Sequence, residues 1–165
     1  MHPFEREGLG KAPFQVVGCN TRVGPWSYVD EQGITITIGS PGQPMGVCKY
    51  CYQGISQCFI IRSADGKEFD VGSSCVAKTA DKTITKEVNR IKTENRNALT
   101  DARIARAKDR FENDEAVREN LKGKNHGRMG QYQYVEFCLR AAGRAGKLKV
   151  TKMIEQAIKE VESNG

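Results

Sequence analysis

The spacing Cys48-Lys-Tyr-Cys51, followed by Cys58 and then Cys75, constrains this chain more than any other feature. Two thiolates two residues apart can face one cation only if the backbone between them forms a tight knuckle, and Gly54 helps the chain leave it. Residues 55–61 and 67–71 are rich in strand formers, and Asp65-Gly66 between them signals a turn that needs positive φ, so a hairpin is predicted. With Asp65-Gly66 as a two-residue loop, Ala64 pairs with Lys67, Ile60 pairs with Val71, and Cys58 lies opposite Ser73. Cys58, Ile60, Phe69, Val71 and Ser73 then share a face, and Cys75 continues the alternation. This register predicts a structural tetrahedral zinc site closed by Cys48, Cys51, Cys75 and Cys58. A slip of one residue turns Cys58 to the other face, and Cys19, His126 or a solvent molecule then stands as fourth ligand. Cys19 and Cys138 otherwise read as small buried hydrophobes.

A chain of 165 residues suffices for one domain, or for a small module with a helical appendage. Hydrophobic residues make up 38% and mean hydropathy is −0.57, so part of the chain is short of core. A structural zinc ion makes up such a shortage, since its binding is worth about 10–16 kcal/mol in small peptides near neutral pH. No run of 18 apolar residues occurs, and the N-terminus lacks the basic-then-apolar pattern of a secretory signal, so the expected location is cytoplasmic, with no membrane partner. In a reducing compartment the six cysteines are better explained by metal and burial than by disulfides.

Cys48-x-x-Cys51, the Ile-Arg-Ser-x-Asp-Gly-Lys segment at residues 61–67 and Val71-Gly-Ser-Ser-Cys75 resemble small zinc-ribbon or treble-clef proteins of phages and mobile elements. The resemblance covers about thirty residues and speaks to architecture more than to activity. It implies a zinc module of a kind that mostly binds nucleic acid or proteins, and, if phage-encoded, the cytoplasm of a bacterial host. The chain departs from the pattern at Ser73, where some members carry a further cysteine.

Along the chain, residues 1–12 mix glycine, proline and charge without periodicity and read as a flexible arm. Residues 13–80 read as a β-rich zinc module. Short strands are expected around Phe14–Val17, Trp26–Val29 and Ile34–Ile38, with Trp26, Phe59 and Phe69 supplying the bulk of the core. Residues 81–122 read as a long charged helical region. Ile84, Val88 and Ile91, continued through Asn95, Ala98, Ala102 and Ala105, form a heptad-like seam that could pack within the chain or join two copies as a homodimer. In residues 123–165 a glycine-rich basic loop precedes two amphipathic helices joined at Gly143–Gly146, in outline a helix-turn-helix. The expected fold class is α+β: a small antiparallel sheet with a zinc-ribbon-like or treble-clef-like hairpin, a long charged helix and a C-terminal helical hairpin.

The net charge of +6 lies wholly in residues 81–165, which carry 19 basic and 13 acidic side chains. Lys122, Lys124, Arg128, Arg140, Arg144, Lys147, Lys149 and Lys152 are interrupted by a single acid, Glu136. That density is the footprint of a polyanion binder, and these eight residues are the candidate nucleic-acid contacts, with DNA ahead of RNA. Tyr50 and Tyr52 flank the knuckle and, with Tyr28, offer stacking faces for bases. Enzyme readings fail on the residues. Gly143–Leu148 lacks the first glycine and the hydroxyl of a phosphate loop, and neither His2 nor His126 sits in a motif that would activate a nucleophile. The expected function is therefore non-catalytic nucleic-acid binding. The rival from another class is a protein adaptor, or an inhibitor of a host protein, that uses the ribbon and the long helix.

Overall fold

The computed structural model describes residues 1–164 and is α+β. In chain order the first elements are α1 (Pro3–Arg6), β1 (Gln15–Thr21), β2 (Trp26–Val29), β3 (Thr35–Ile38), β4 (Gly46–Val47) and β5 (Gly54–Ile55). They are followed by β6 (Gln57–Arg62), β7 (Glu68–Val71), α2 (Ser73–Lys78) and α3 (Lys82–Asn113). The remainder comprises α4 (Glu115–Lys122), β8 (Asn125–His126), β9 (Met129–Gly130), α5 (Gln131–Ala141) and α6 (Arg144–Asn164). The chain divides into two compact units, Met1–Thr93 and Glu94–Gly165, with the boundary inside α3.

The first unit is built on an antiparallel sheet in the order β1-β6-β7. Phe59 pairs with Val71 and Ile61 with Phe69, so these four side chains share the inner face, where all are buried. This corrects the hairpin register expected from a two-residue loop. The loop holds three residues, Ala64, Asp65 and Gly66, and Gly66 closes it with φ of 83°. Ser63 fixes the ends: its amide donates to the Lys67 carbonyl at 3.0 Å, and its hydroxyl accepts the Lys67 amide at 3.1 Å. The turn is also held from outside, because Asp65 Oδ1 accepts the Lys11 amide at 3.0 Å.

Residues 1–12 are not a loose arm. His2 caps α1, accepting the Phe4 amide on Nδ1 at 3.1 Å while Glu5 accepts the His2 amide at 2.9 Å. Phe4 is fully buried, its ring meeting those of Phe14, Tyr50 and Phe69 edge-on at 5.2–5.4 Å. Val76 of α2 and Ile84 and Val88 of α3 complete this core.

Trp26, expected in that core, is 58% exposed. It lies on the two-stranded β2-β3 hairpin, where Trp26 pairs with Ile38 and Tyr28 with Ile36, and the whole of β2 is exposed. Alternation sets which residues share a face of a strand, but only a third layer buries that face, and here none covers it among the described residues.

In α3 the expected seam does not run on. Ile84, Val88 and Ile91 pack into the first core, but Asn95, Ala98, Ala102 and Ala105 are exposed, and the next buried positions are Ile104, Ala107 and Phe111. Steps of three and four recur there in a different heptad phase, so the helix carries two separate apolar stripes.

The second unit is helical. Asp114 caps α4 by accepting the Val117 amide at 3.3 Å. Ala107 and Phe111 of α3, Val117 and Leu121 of α4, Val135, Cys138 and Leu139 of α5, and Val150, Ile154 and Ala157 of α6 form its core. The expected helical hairpin is present with a shorter connection: only Ala142 and Gly143 separate α5 from α6, and Gly146 lies inside α6. Among the described residues no helix is long and apolar enough to cross a membrane.

Candidate metal centre and basic face

Backbone hydrogen bonds shape the knuckle. The Cys48 amide donates to the Gln53 carbonyl at 2.9 Å, the Tyr52 amide donates to the Cys48 carbonyl at 2.8 Å, and Tyr52 takes a left-handed conformation, with φ of 59°. The Lys49 amide donates to the Asp70 carbonyl at 2.8 Å, tying the knuckle to β7. β7 leads through Gly72 into α2, whose third residue is Cys75. The Sγ atoms of Cys48, Cys51 and Cys75 consequently lie within 4.8 Å of one another.

A tetrahedral zinc site with Zn–S bonds of about 2.3 Å sets its sulfurs about 3.8 Å apart, so these three need only small rotations to share an ion. The set is chemically suited to one: three soft donors, two buried and one half-buried. Cys75 Sγ lies 3.3 Å from Cys51 Sγ, donating to it. Burial pushes the Cys75 thiol up to about 12, with the neighbouring cysteines adding to the rise. A hydrogen bond from the Gln53 backbone amide, and then one from the Cys75 thiol, hold Cys51 below the usual thiol range. A cation is what would let all three sulfurs be thiolates at once.

Cys58 lies outside this group of three. In the observed register it pairs with Asn20 on β1, and its buried Sγ sits 4.0 Å from the Ile55 carbonyl. It also packs on Gly46, where a Cβ would come within 2.2 Å of the sulfur. Burial pushes its thiol up. Of the other ligands weighed, Cys19 pairs with Phe59 and packs on the first core, while His126 stacks on Tyr134 in the second unit at 4.2 Å.

The eight candidate basic contacts all belong to the second unit, and they differ in what they already hold. Lys124 is bound to Glu160, Lys122 to Glu119 at 2.5 Å and Arg140 to Glu136 at 3.0 Å. Arg144 pairs with Asp101 at 3.0 Å and donates to the Asn97 carbonyl, both on α3. Arg128, Lys147, Lys149 and Lys152 have no carboxylate partner among the described residues, and Lys149 Nζ lies 5.5 Å over the Tyr134 ring. Four of the eight are therefore already held by carboxylates, which charge density along the sequence does not show.

Sequence reading missed Lys108 and Arg118. Acids interrupt both in sequence, yet both line a cleft of about 620 Å³ together with Arg140 and Lys147, over Phe111, Tyr132 and Leu139. The available signal was helical spacing, which carries Lys108 along the helix one turn before the buried Phe111. Comparison with family models, curated proteins and solved structures finds no match to this chain.

Proposed function

We propose that this chain is a non-catalytic, zinc-stabilised nucleic-acid-binding protein, of the kind encoded by phages and mobile elements, that acts through the basic face of its second unit. The observation that carries the reading is the set Arg128, Lys147, Lys149 and Lys152, cations without carboxylate partners among the described residues, in a stretch that holds one acid. Unpaired cations are the ones whose counterion exchange with phosphate is productive, because paired ones must first give up a partner. Zinc serves as scaffold: bound by Cys48, Cys51 and Cys75, it joins the knuckle to the first turn of α2.

The test is an anisotropy titration of the zinc-loaded protein on labelled mixed-sequence DNA and RNA at several salt concentrations. Four phosphate contacts contribute about −3 to −4 to the log–log salt slope, and alanine at the four cations flattens it by about that much. Absence of binding at low salt, with the protein folded and metal-loaded, removes the reading.

One observation favours the adaptor reading, that of a partner protein bound through the first unit. Trp26, Tyr28, Val29, Ile34 and Ile38 are exposed together on β2-β3 and its turn, and residues 23–38 contain two acids and no base. Capture from a bacterial lysate with and without nuclease separates the two, since partners bridged by nucleic acid vanish on digestion.

A further inference from the structure

The cleft of about 620 Å³ meets a second hollow of about 460 Å³, lined by Asp101, Ile104, Gly143 and Arg144. Lys108 and Lys147 line both, so the two hollows adjoin beside the second half of α3 and make up a two-part groove. Each part falls within the roughly 300–1,000 Å³ of clefts that hold small organic groups.

The groove has two chemical zones. Five cations, Lys108, Arg118, Arg140, Arg144 and Lys147, line it against three carboxylates. The carboxylates are engaged: Glu136 with Arg140 at 3.0 Å, Asp101 with Arg144 at 3.0 Å and Glu112 with Lys108 at 3.6 Å. Arg118 and Lys147 remain without a carboxylate among the described residues, and Arg118 instead donates to the Glu112 carbonyl at 2.5 Å. The other zone is aromatic. Half-buried Tyr132 rests on Phe111 with ring centroids 5.2 Å apart, and the exposed Lys122 ammonium lies 5.7 Å over the Tyr132 ring.

From this juxtaposition we infer that the groove binds single-stranded nucleic acid, its backbone running past Lys108, Lys147 and Arg118 and a base stacking at Tyr132. The inference rests on the nucleic-acid reading above and deepens it. A positive channel that tracks the backbone, beside an aromatic ring open to a base, is how proteins hold unpaired strands. Duplex docking in the helix-turn-helix manner needs the start of the second helix to project into the major groove. Here Arg144 at the start of α6 is tied back to Asp101 and Asn97 of α3, so that end lies against another helix.

The experiment uses the full zinc-loaded chain at one salt concentration and four labelled probes: oligothymidylate, oligouridylate, a mixed-sequence duplex of equal length and an oligomer of abasic deoxyribose phosphates. At least one single strand is expected to bind about tenfold or more tighter than the duplex, and abasic residues are expected to lose about tenfold relative to oligothymidylate. Lys108→Ala with Lys147→Ala weakens all single-strand binding, whereas Tyr132→Leu weakens only probes that carry bases. If Tyr132→Leu fails to fold, the abasic comparison on the unaltered protein decides the stacking alone. Duplex binding as tight as the tighter of the two single strands, or abasic binding as tight as oligothymidylate, overturns the groove inference while leaving polyanion binding intact. Failure of every probe removes both.

Discussion

The two units hold themselves together by different means. The second draws on regular helices that satisfy their own backbone and present apolar stripes to a common centre, with Val117, Leu121, Val135, Val150 and Ile154 essentially buried. The first has strands of two to seven residues and a knuckle whose backbone groups must find partners one at a time. Its core leans on four phenylalanines, Phe4, Phe14, Phe59 and Phe69, and borders the three clustered thiols. A helical unit carrying surplus charge can stand on packing alone; a strand-and-knuckle unit gains most from a cross-link, which a metal ion held by cysteines 24 residues apart in sequence would supply.

Metal removal tests that contrast hardest. Chelation, or Cys48→Ser, is expected to withdraw a contribution of about 10–16 kcal/mol and unfold the first unit, while the helical circular dichroism of the second unit persists. Dispersed amide resonances from Phe59, Ile61 and Val71 in metal-free protein would falsify the cross-link account.

Packing comes next. Phe4→Ala should cost about 3–5 kcal/mol and Ile154→Ala about 2–5 kcal/mol, each in its own unit. With separable units, denaturant melts followed by site-resolved signals show Phe4→Ala moving only the first transition and Ile154→Ala only the second. A single transition shifted equally by both variants breaks the comparison.

Acid should then act on the second unit in a specific window. The Lys124 ammonium, with the amides of Gln156 and Asn120, holds the Glu160 carboxyl down at about 2, below its ordinary 4.5. A carboxyl depressed in the folded state adds stability that is complete above its unfolded value and fades as pH falls through the folded one. The loss should therefore run from about pH 4.5 down to about pH 2, and Glu160→Gln should remove that portion of an acid titration. A carboxyl resonance for Glu160 that titrates at its ordinary value would contradict this.

The smallest effect is expected at the most conspicuous residue. Trp26→Ser should change stability by less than about 0.5 kcal/mol, because the ring is largely in water. A loss of several kcal/mol in the isolated chain would mean that β2-β3 supports the first unit after all.

Features carried within one element could be read from residue order. The tight turn between Cys48 and Cys51, the long charged helix after residue 81 and the apolar stripe of α6 all appear where expected. Each depends on neighbours a few positions away, and local geometry is set by those neighbours. Features decided between distant segments could not be read so. The β6-β7 register turned on a three-residue loop clamped by Lys11, which moved Cys58 away from the three clustered thiols. Phe4 rather than Trp26 filled the core because α1 docks on the sheet and β2-β3 does not. Glu160 and Asp101 claimed Lys124 and Arg144, while folding brought Lys108 beside Lys147. Residue order by itself determined which groups were available and the period of each element; tertiary structure decided their partners, because burial, register and ion pairing are settled by contacts between segments far apart along the chain.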